Sequence, residues 1–271
     1  MSDQVYNSYI LHFNAYMAKA LKLLIPEFRK QLKRIPFDNL SFGSSTALIM
    51  LNFDKESMRK VLYKIHYTIG RAYGYYSAQQ LRKENPIQEK KWKPLPFFNE
   101  AFQKFLLDYY RDKGGELIVT LSRTMAERVT QDIISGTFEN ETVEQMRDRM
   151  MRTVNDPKYY EWMCMRIART ETGFAMNAGQ YTAGDVSGVL MEKVWIAKRS
   201  GHRRDEHQRL DGKTVGPKEY FKLSGGVELR FPCDRDGKGS RKAIGKQVIN
   251  CACTYGFRPV RDENGRLIFT E

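Results

Sequence analysis

The chain has 271 residues, 41% of them hydrophobic, and carries 45 Lys and Arg against 32 Asp and Glu for a formal charge of +13. That apolar content can fill a core and excludes wholesale disorder. The positive excess points to a polyanionic neighbour: nucleic acid, an acidic protein surface or an anionic membrane. No run of about 18 apolar residues occurs, so no membrane span is expected. Residues 1–9 lack the basic stretch and apolar core of a signal peptide. Four cysteines (Cys164, Cys233, Cys251 and Cys253) are too few for a secreted disulfide scaffold of this length, which makes a reducing, intracellular site of synthesis the expectation.

In chain order, Tyr6 to Arg34 is predicted as one helix from its apolar spacing, with Pro26 as a candidate kink and a basic polar face. Ile35 to Met50 reads as irregular. A second helix is predicted from about Asp54 to Lys83. Gly70 and Gly74, four apart in it, either permit close helix packing or are mild weak points. Glu84 to Phe98, with three prolines and the run Lys90-Lys91-Trp92-Lys93, reads as a connector or surface arm, where Trp92 either stacks on a base or covers an apolar seam. Helices are predicted over Asn99–Arg111 and Leu117–Ser135, broken by Gly114-Gly115 and ended by Ser135-Gly136. Thr142 with Gln145 three residues on forms a capping-box pattern for a helix to Arg152. Asp156-Pro157 opens the next.

That last helix, Pro157 to about Gly184, organises the rest. On a helical wheel Tyr160, Met163, Ile167, Phe174, Ala178 and Tyr181 share a stripe with Glu171 in its middle, and a second stripe holds Trp162, Met165, Arg169 and Met176. A carboxylate set among apolar residues must be paired when buried. It is read either as half of a structural ion pair docking the helix or as a catalytic group. Beyond Gly184, Val189–Ile196 has strand composition, and 215–221 and 227–231 are short apolar segments among Gly and Pro. The expectation is an α+β protein: a mainly α-helical N-terminal half, then a small mixed module with short strands and long loops. The divisions expected are 1–95 (helical), 96–135 (connecting helices) and 136–271 (the mixed module).

The order of certain residues adds a resemblance. Ala168-Arg169-Thr170-Glu171-Thr172 is followed by Ala175, Asn177-Ala178-Gly179 and Trp195. Then come Arg203-Arg204, His207, Leu210-Asp211-Gly212, Phe221, Pro232 and Asn250-Cys251-Ala252-Cys253. Over about Gly136 to Val260 this resembles the phage head morphogenesis family, the minor head proteins similar to protein F of phage Mu. Two features depart from the family's pattern: Ala252 stands where members often carry a basic residue, and 234–249 is longer and more basic. The resemblance implies a minor capsid protein of a tailed phage or prophage, acting in capsid assembly at the portal vertex or inner capsid. Its partners would be the portal protein, the major capsid protein, or both, with packaged double-stranded DNA as a further candidate. It would reside in the virion and, during assembly, in the host cytoplasm. Arg169, Thr170, Glu171, Asn177, Trp195, Arg203, Arg204, His207, Asp211, Gly212 and Asn250 are then the structural motif. Toxin domains are sometimes fused to this family; here only Arg261 to Glu271 follow Val260.

Three chemistries are weighed within this module. His207, Cys233, Cys251 and Cys253 are either reduced core residues or a structural zinc set, sulfur and imidazole being zinc's usual donors. Arg203, Arg204, Asp205, His207, Asp211 and Glu171 could form an acid–base cluster with cationic clamps for a nuclease or toxin. No paired-carboxylate metal pattern, nucleophile elbow or P-loop accompanies them, so a non-enzyme with no catalytic residue is the primary reading. On that reading His207 and Asp211 fix a turn at Gly212 that presents the Arg pair, with Glu171 as its candidate acceptor. Lys238, Arg241, Lys242 and Lys246, interspersed with glycines, read as a flexible basic loop, alongside Lys90, Lys91, Trp92 and Lys93 as candidate nucleic-acid contacts.

Overall fold

Local signals set where the helices begin. A computed structural model describes residues 2–39, 45–84, 95–112, 114–199, 201 and 203–270. Seven helices fill the described part of the first two thirds: α1 (Ser2–Leu32), α2 (Ser45–Asn52), α3 (Lys55–Glu84), α4 (Leu95–Asp112), α5 (Gly114–Phe138), α6 (Val143–Asn155) and α7 (Pro157–Asp185). Asp54 caps α3 by accepting from Ser57 N at 2.9 Å. Thr142 and Gln145 form the reciprocal capping box of α6. Asp156 accepts from Lys158 N at 2.9 Å, just ahead of Pro157 in the first helical position. Pro26 lies inside α1 without ending it.

The structure departs from the sequence expectation in four elements. Residues 45–52, expected to be irregular, form α2, because Ile49 on its apolar run is fully buried. α4 begins at Leu95 rather than Asn99, with Pro96 tolerated in the first turn, where no helical N–H partner is needed. Ser135-Gly136 does not end α5, which continues to Phe138; Gly136 instead lets Met146 approach to 2.5 Å of where a Cβ would lie. Lastly, 241–248 is not a loop but a helix, α9 (Arg241–Val248), capped by Ser240 and anchored by buried Ile244 and Val248.

Chain contacts group residues into two compact units: 1–20, 64–108 and 167–271 in one, 21–63 and 109–166 in the other. In the second, Gln31 exchanges hydrogen bonds with the backbone of Asp54 (2.8 and 3.1 Å), and the hydroxyls of Thr46 and Thr130 meet at 2.8 Å. In the first, the later part of α3 packs closely on α7. A Cβ on Gly179 would lie 2.0 Å from Gly70 O, one on Gly70 2.2 Å from the Phe102 ring, and one on Gly74 2.1 Å from Phe98. These glycines therefore serve close packing. From Ile167 to Gln180 every residue of α7 except Arg169 is buried, so this stretch is the core of its unit.

The α+β module follows. Strand β1 (Met191–Ile196) is central in an antiparallel sheet, with β2 (Thr214–Val215) on one side and β5 (Thr254–Pro259) on the other. Helix α8 (Asp205–Leu210) lies between β1 and β2 in sequence, and β3 (Phe221–Leu223) and β4 (Val227–Leu229) form a hairpin. Trp195, Phe221, Val227, Leu229, Val248 and three of the four cysteines fill a common apolar core.

Candidate functional site

The Arg-Thr-Glu run of α7 meets three different elements. Glu171 is 1% exposed, and its Oε2 accepts from Nε2 of fully buried His66, on α3, at 2.9 Å. Its Oε1 accepts from Arg235, in the segment after β4. Burial works to raise the Glu171 carboxyl, but the Arg235 guanidinium and His66 outweigh it and hold the group below the ordinary carboxylate range. Thr170 Oγ1 accepts from Asn250 N at 3.0 Å, and Arg169 donates to Asn250 Oδ1 at 3.3 Å. About two turns on, Asn177 donates to the carbonyls of Pro232 (2.8 Å) and Cys253 (3.1 Å) and accepts from the Thr254 hydroxyl. One face of α7 thus reads out the backbone of both segments that carry the cysteines.

The second constellation lies in the module core. His207 on α8 is buried, with Nδ1 3.6 Å from Cys251 Sγ and 3.5 Å from Cys253 Sγ. The donor atoms of these three residues all lie within 4.8 Å of one another. Cys233 joins the group through a hydrogen bond to the Cys251 thiol, and its Sγ lies 3.6 Å from Cys251 O. Hydrogen bonds from Cys233 and Cys253 lower the Cys251 thiol well below its ordinary value, against burial and with help from His207. The same hydrogen bonds, then burial, raise Cys233 and Cys253. Trp195 stands edge-on to the His207 ring, centroids 5.3 Å apart.

The protonation of His207 follows from its neighbours. Gln247 Nε2 donates to Glu206 Oε2 at 2.7 Å, and an ionised carboxylate only accepts, so Gln247 Oε1 must face His207 Nε2 at 3.0 Å. Nε2 therefore carries a hydrogen, and Nδ1 faces the two sulfurs.

The remaining candidates have separate roles. Asp211 Oδ1 accepts from Ala197 N at 2.8 Å, its other oxygen pairs with Arg199, and Gly212 follows at φ +78. Arg204 donates to Ile249 O at 2.7 Å, and Arg203 is exposed. Neither is the partner of Glu171 expected from the sequence; its partners are His66 and Arg235. Glu171, His207 and Asp211 each have their own partners, so the acid–base cluster weighed from sequence is not joined by hydrogen bonds. Lys238 pairs with Glu228 and sits over the Tyr220 ring at 4.1 Å, whereas Lys242 and Lys246 are exposed on α9. Lys90, Lys91, Trp92 and Lys93 lie outside the described residues.

Sequence reasoning missed His66, Arg235, Gln247 and Gly173. His66 interrupts the buried apolar stripe of Leu62, Ile69 and Tyr73, a signal for a buried polar partner. Arg235 and Gln247 carried no signal. Gly173 sits where a Cβ would be 3.0 Å from Cys233 Sγ, an approach invisible without coordinates.

The class defined here is an α+β module seated on a buried helix, held by a Glu–His–Arg contact and closed by a Cys/His core. Residues 123–255, just under half of the chain, match the family described as phage Mu protein F like protein. Two curated proteins are similar. The NAD(+)–arginine ADP-ribosyltransferase EFV of Enterococcus faecalis is 31% identical over 134 residues, covering 48% of this chain and 25% of that protein. The uncharacterized protein YqbB of Bacillus subtilis is 24% identical over 159 residues, covering 58% of this chain and 48% of that protein. The aligned segments thus span about a quarter and about half of these relatives. No solved structure matches the chain significantly. Among the described residues no helix is long and apolar enough to cross a membrane.

Proposed function

We propose that the chain is a minor head protein of a tailed phage or prophage, acting in head morphogenesis as an adaptor at the portal vertex or inner capsid. The observation that carries this reading is the family match over 123–255, which spans the Arg-Thr-Glu helix, the His207 segment and the cysteines. The geometry supports a non-catalytic role. Glu171 and His207 are buried and committed to partners within the protein, which suits residues that hold a module together rather than groups that meet a substrate. The ADP-ribosyltransferase named above leaves three quarters of its length outside the alignment, so its name carries no argument for this chain's activity. In the adaptor, the N-terminal helices supply the docking surface and the module supplies the family-specific contact. Exposed Lys242 and Lys246 on α9 are the candidate contacts to packaged DNA.

The test is co-expression with the portal subunit encoded near it, followed by size-exclusion chromatography at rising salt. Co-elution that persists at high salt is the expected result. A chain that never co-elutes with portal or capsid subunits, and instead runs on nucleic acid until salt releases it, overturns the adaptor reading in favour of a DNA-bound protein.

A further inference from the structure

The Cys/His group has the dimensions of a metal site. A tetrahedral zinc with Zn–S of about 2.3 Å and Zn–N of about 2.0–2.1 Å sets imidazole nitrogen and thiolate sulfur about 3.5–3.6 Å apart. His207 Nδ1 lies 3.5 and 3.6 Å from the two sulfurs. That separation is also the length of an S–H···N hydrogen bond, and what sets the group apart is that one ring nitrogen faces two sulfurs at once. The surrounding contacts match as well. A ligating histidine donates its other N–H to an acceptor that fixes ring and tautomer; here Gln247 accepts, itself held by Glu206, which also accepts from the Ser224 hydroxyl at 2.9 Å. Cys251 Sγ accepts the backbone N–H of Cys253 at 3.4 Å, a bond that favours thiolate. The Cys233 backbone adopts φ +67, a left-handed conformation that is unfavourable for a non-glycine residue and needs compensation from its surroundings.

We propose that His207, Cys251 and Cys253, whose donor atoms lie within 4.8 Å of one another, hold one structural zinc ion, with Cys233, whose Sγ lies outside that set and faces the Cys251 and Cys253 carbonyls, turning in as fourth ligand. Sulfur and imidazole donors favour zinc over magnesium or calcium. Four protein ligands, all buried, leave no open position for a substrate, which makes the ion structural rather than catalytic. Binding releases three thiol protons to solvent, and the dication offsets two of the three thiolate charges, leaving the site at −1. The ion would join three segments far apart in sequence: α8, the turn after β4, and the entry to β5. The hairpin strands there are only three residues each, so little backbone pairing holds these segments and a cross-link would add to it.

The test uses the full chain purified under reducing conditions without chelator. One zinc per chain by elemental analysis is expected, and a chelator should release it and lower the melting temperature. Cobalt exchanged into the site should give tetrahedral d–d bands with sulfur-to-cobalt charge transfer. Cys164→Ser, a buried cysteine outside the group, should retain full zinc. Cys253→Ser should lower zinc affinity at least tenfold, and Cys233→Ser should keep a cobalt spectrum with weaker charge transfer. A folded, reduced wild-type chain that contains no zinc and takes up neither zinc nor cobalt overturns the site, even if the variants fail to fold. Undiminished charge transfer in Cys233→Ser overturns Cys233 as the fourth ligand. Either result leaves the portal co-elution experiment unaffected.

Discussion

At the scale of residues, Glu171 separates a structural from a catalytic centre. Removing one partner of a buried pair leaves the other charge uncompensated, so Glu171→Ala is expected to cost about 3–5 kcal/mol by chemical denaturation. A catalytic Glu171 would instead leave stability nearly intact and abolish cleavage of nucleic acid. The carboxyl also sets an acid response. Its folded pKa lies below the unfolded value of about 4.3. The unfolded state therefore binds the proton first, and the contribution of Glu171 is fully present above that value and lost as pH falls through the folded pKa. Glu171→Gln should melt lower than wild type at neutral pH but lose less on acidification below about pH 4.5, as a pH series of melting curves would show. Equal acid slopes for the two proteins would rule this account out.

At the scale of elements, the meeting of α3 and α7 depends on missing side chains. Gly179→Ala would drive a methyl to 2.0 Å from Gly70 O, a backbone atom that no rotamer change can move. Overpacking of this kind costs about 1–3 kcal/mol, and denaturant midpoints would measure it. Gly225→Ala, where a Cβ has only Ala243 at 3.8 Å, would test φ strain without overlap. The α9 helix is the element that bears on DNA. If Lys242 and Lys246 contact phosphates, replacing both with Ala should flatten the log–log salt dependence of DNA binding by about 2; an unchanged slope would remove α9 from the interface.

At the scale of the whole molecule, the family segment 123–255 does not contain the unit it helps to build. That unit also draws on 1–20 and 64–108, and His66, the partner of Glu171, comes from there. A fragment of residues 123–271 should therefore lack cooperative unfolding and be cut rapidly by protease, whereas the full chain should melt cooperatively. A fragment as resistant as the full chain would show that the N-terminal helices are dispensable for folding.

The sequence by itself determined where α3, α6 and α7 start, because caps and prolines act within one turn: Asp54, the Thr142–Gln145 box and Asp156-Pro157 stand where their spacing put them. It also determined the α+β division and, through the order of Arg169 to Cys253, the family. Only the tertiary structure decided the partners of Glu171, since His66 is 105 residues away and no local periodicity encodes a contact at that separation. It likewise decided that 241–248 is a helix, where burial of Ile244 and Val248 outweighs Gly245 and the glycines just before it, and that His207 faces Cys251 and Cys253. Side-chain types announce which chemistry is available, but their meeting depends on chain segments that only the folded core brings together.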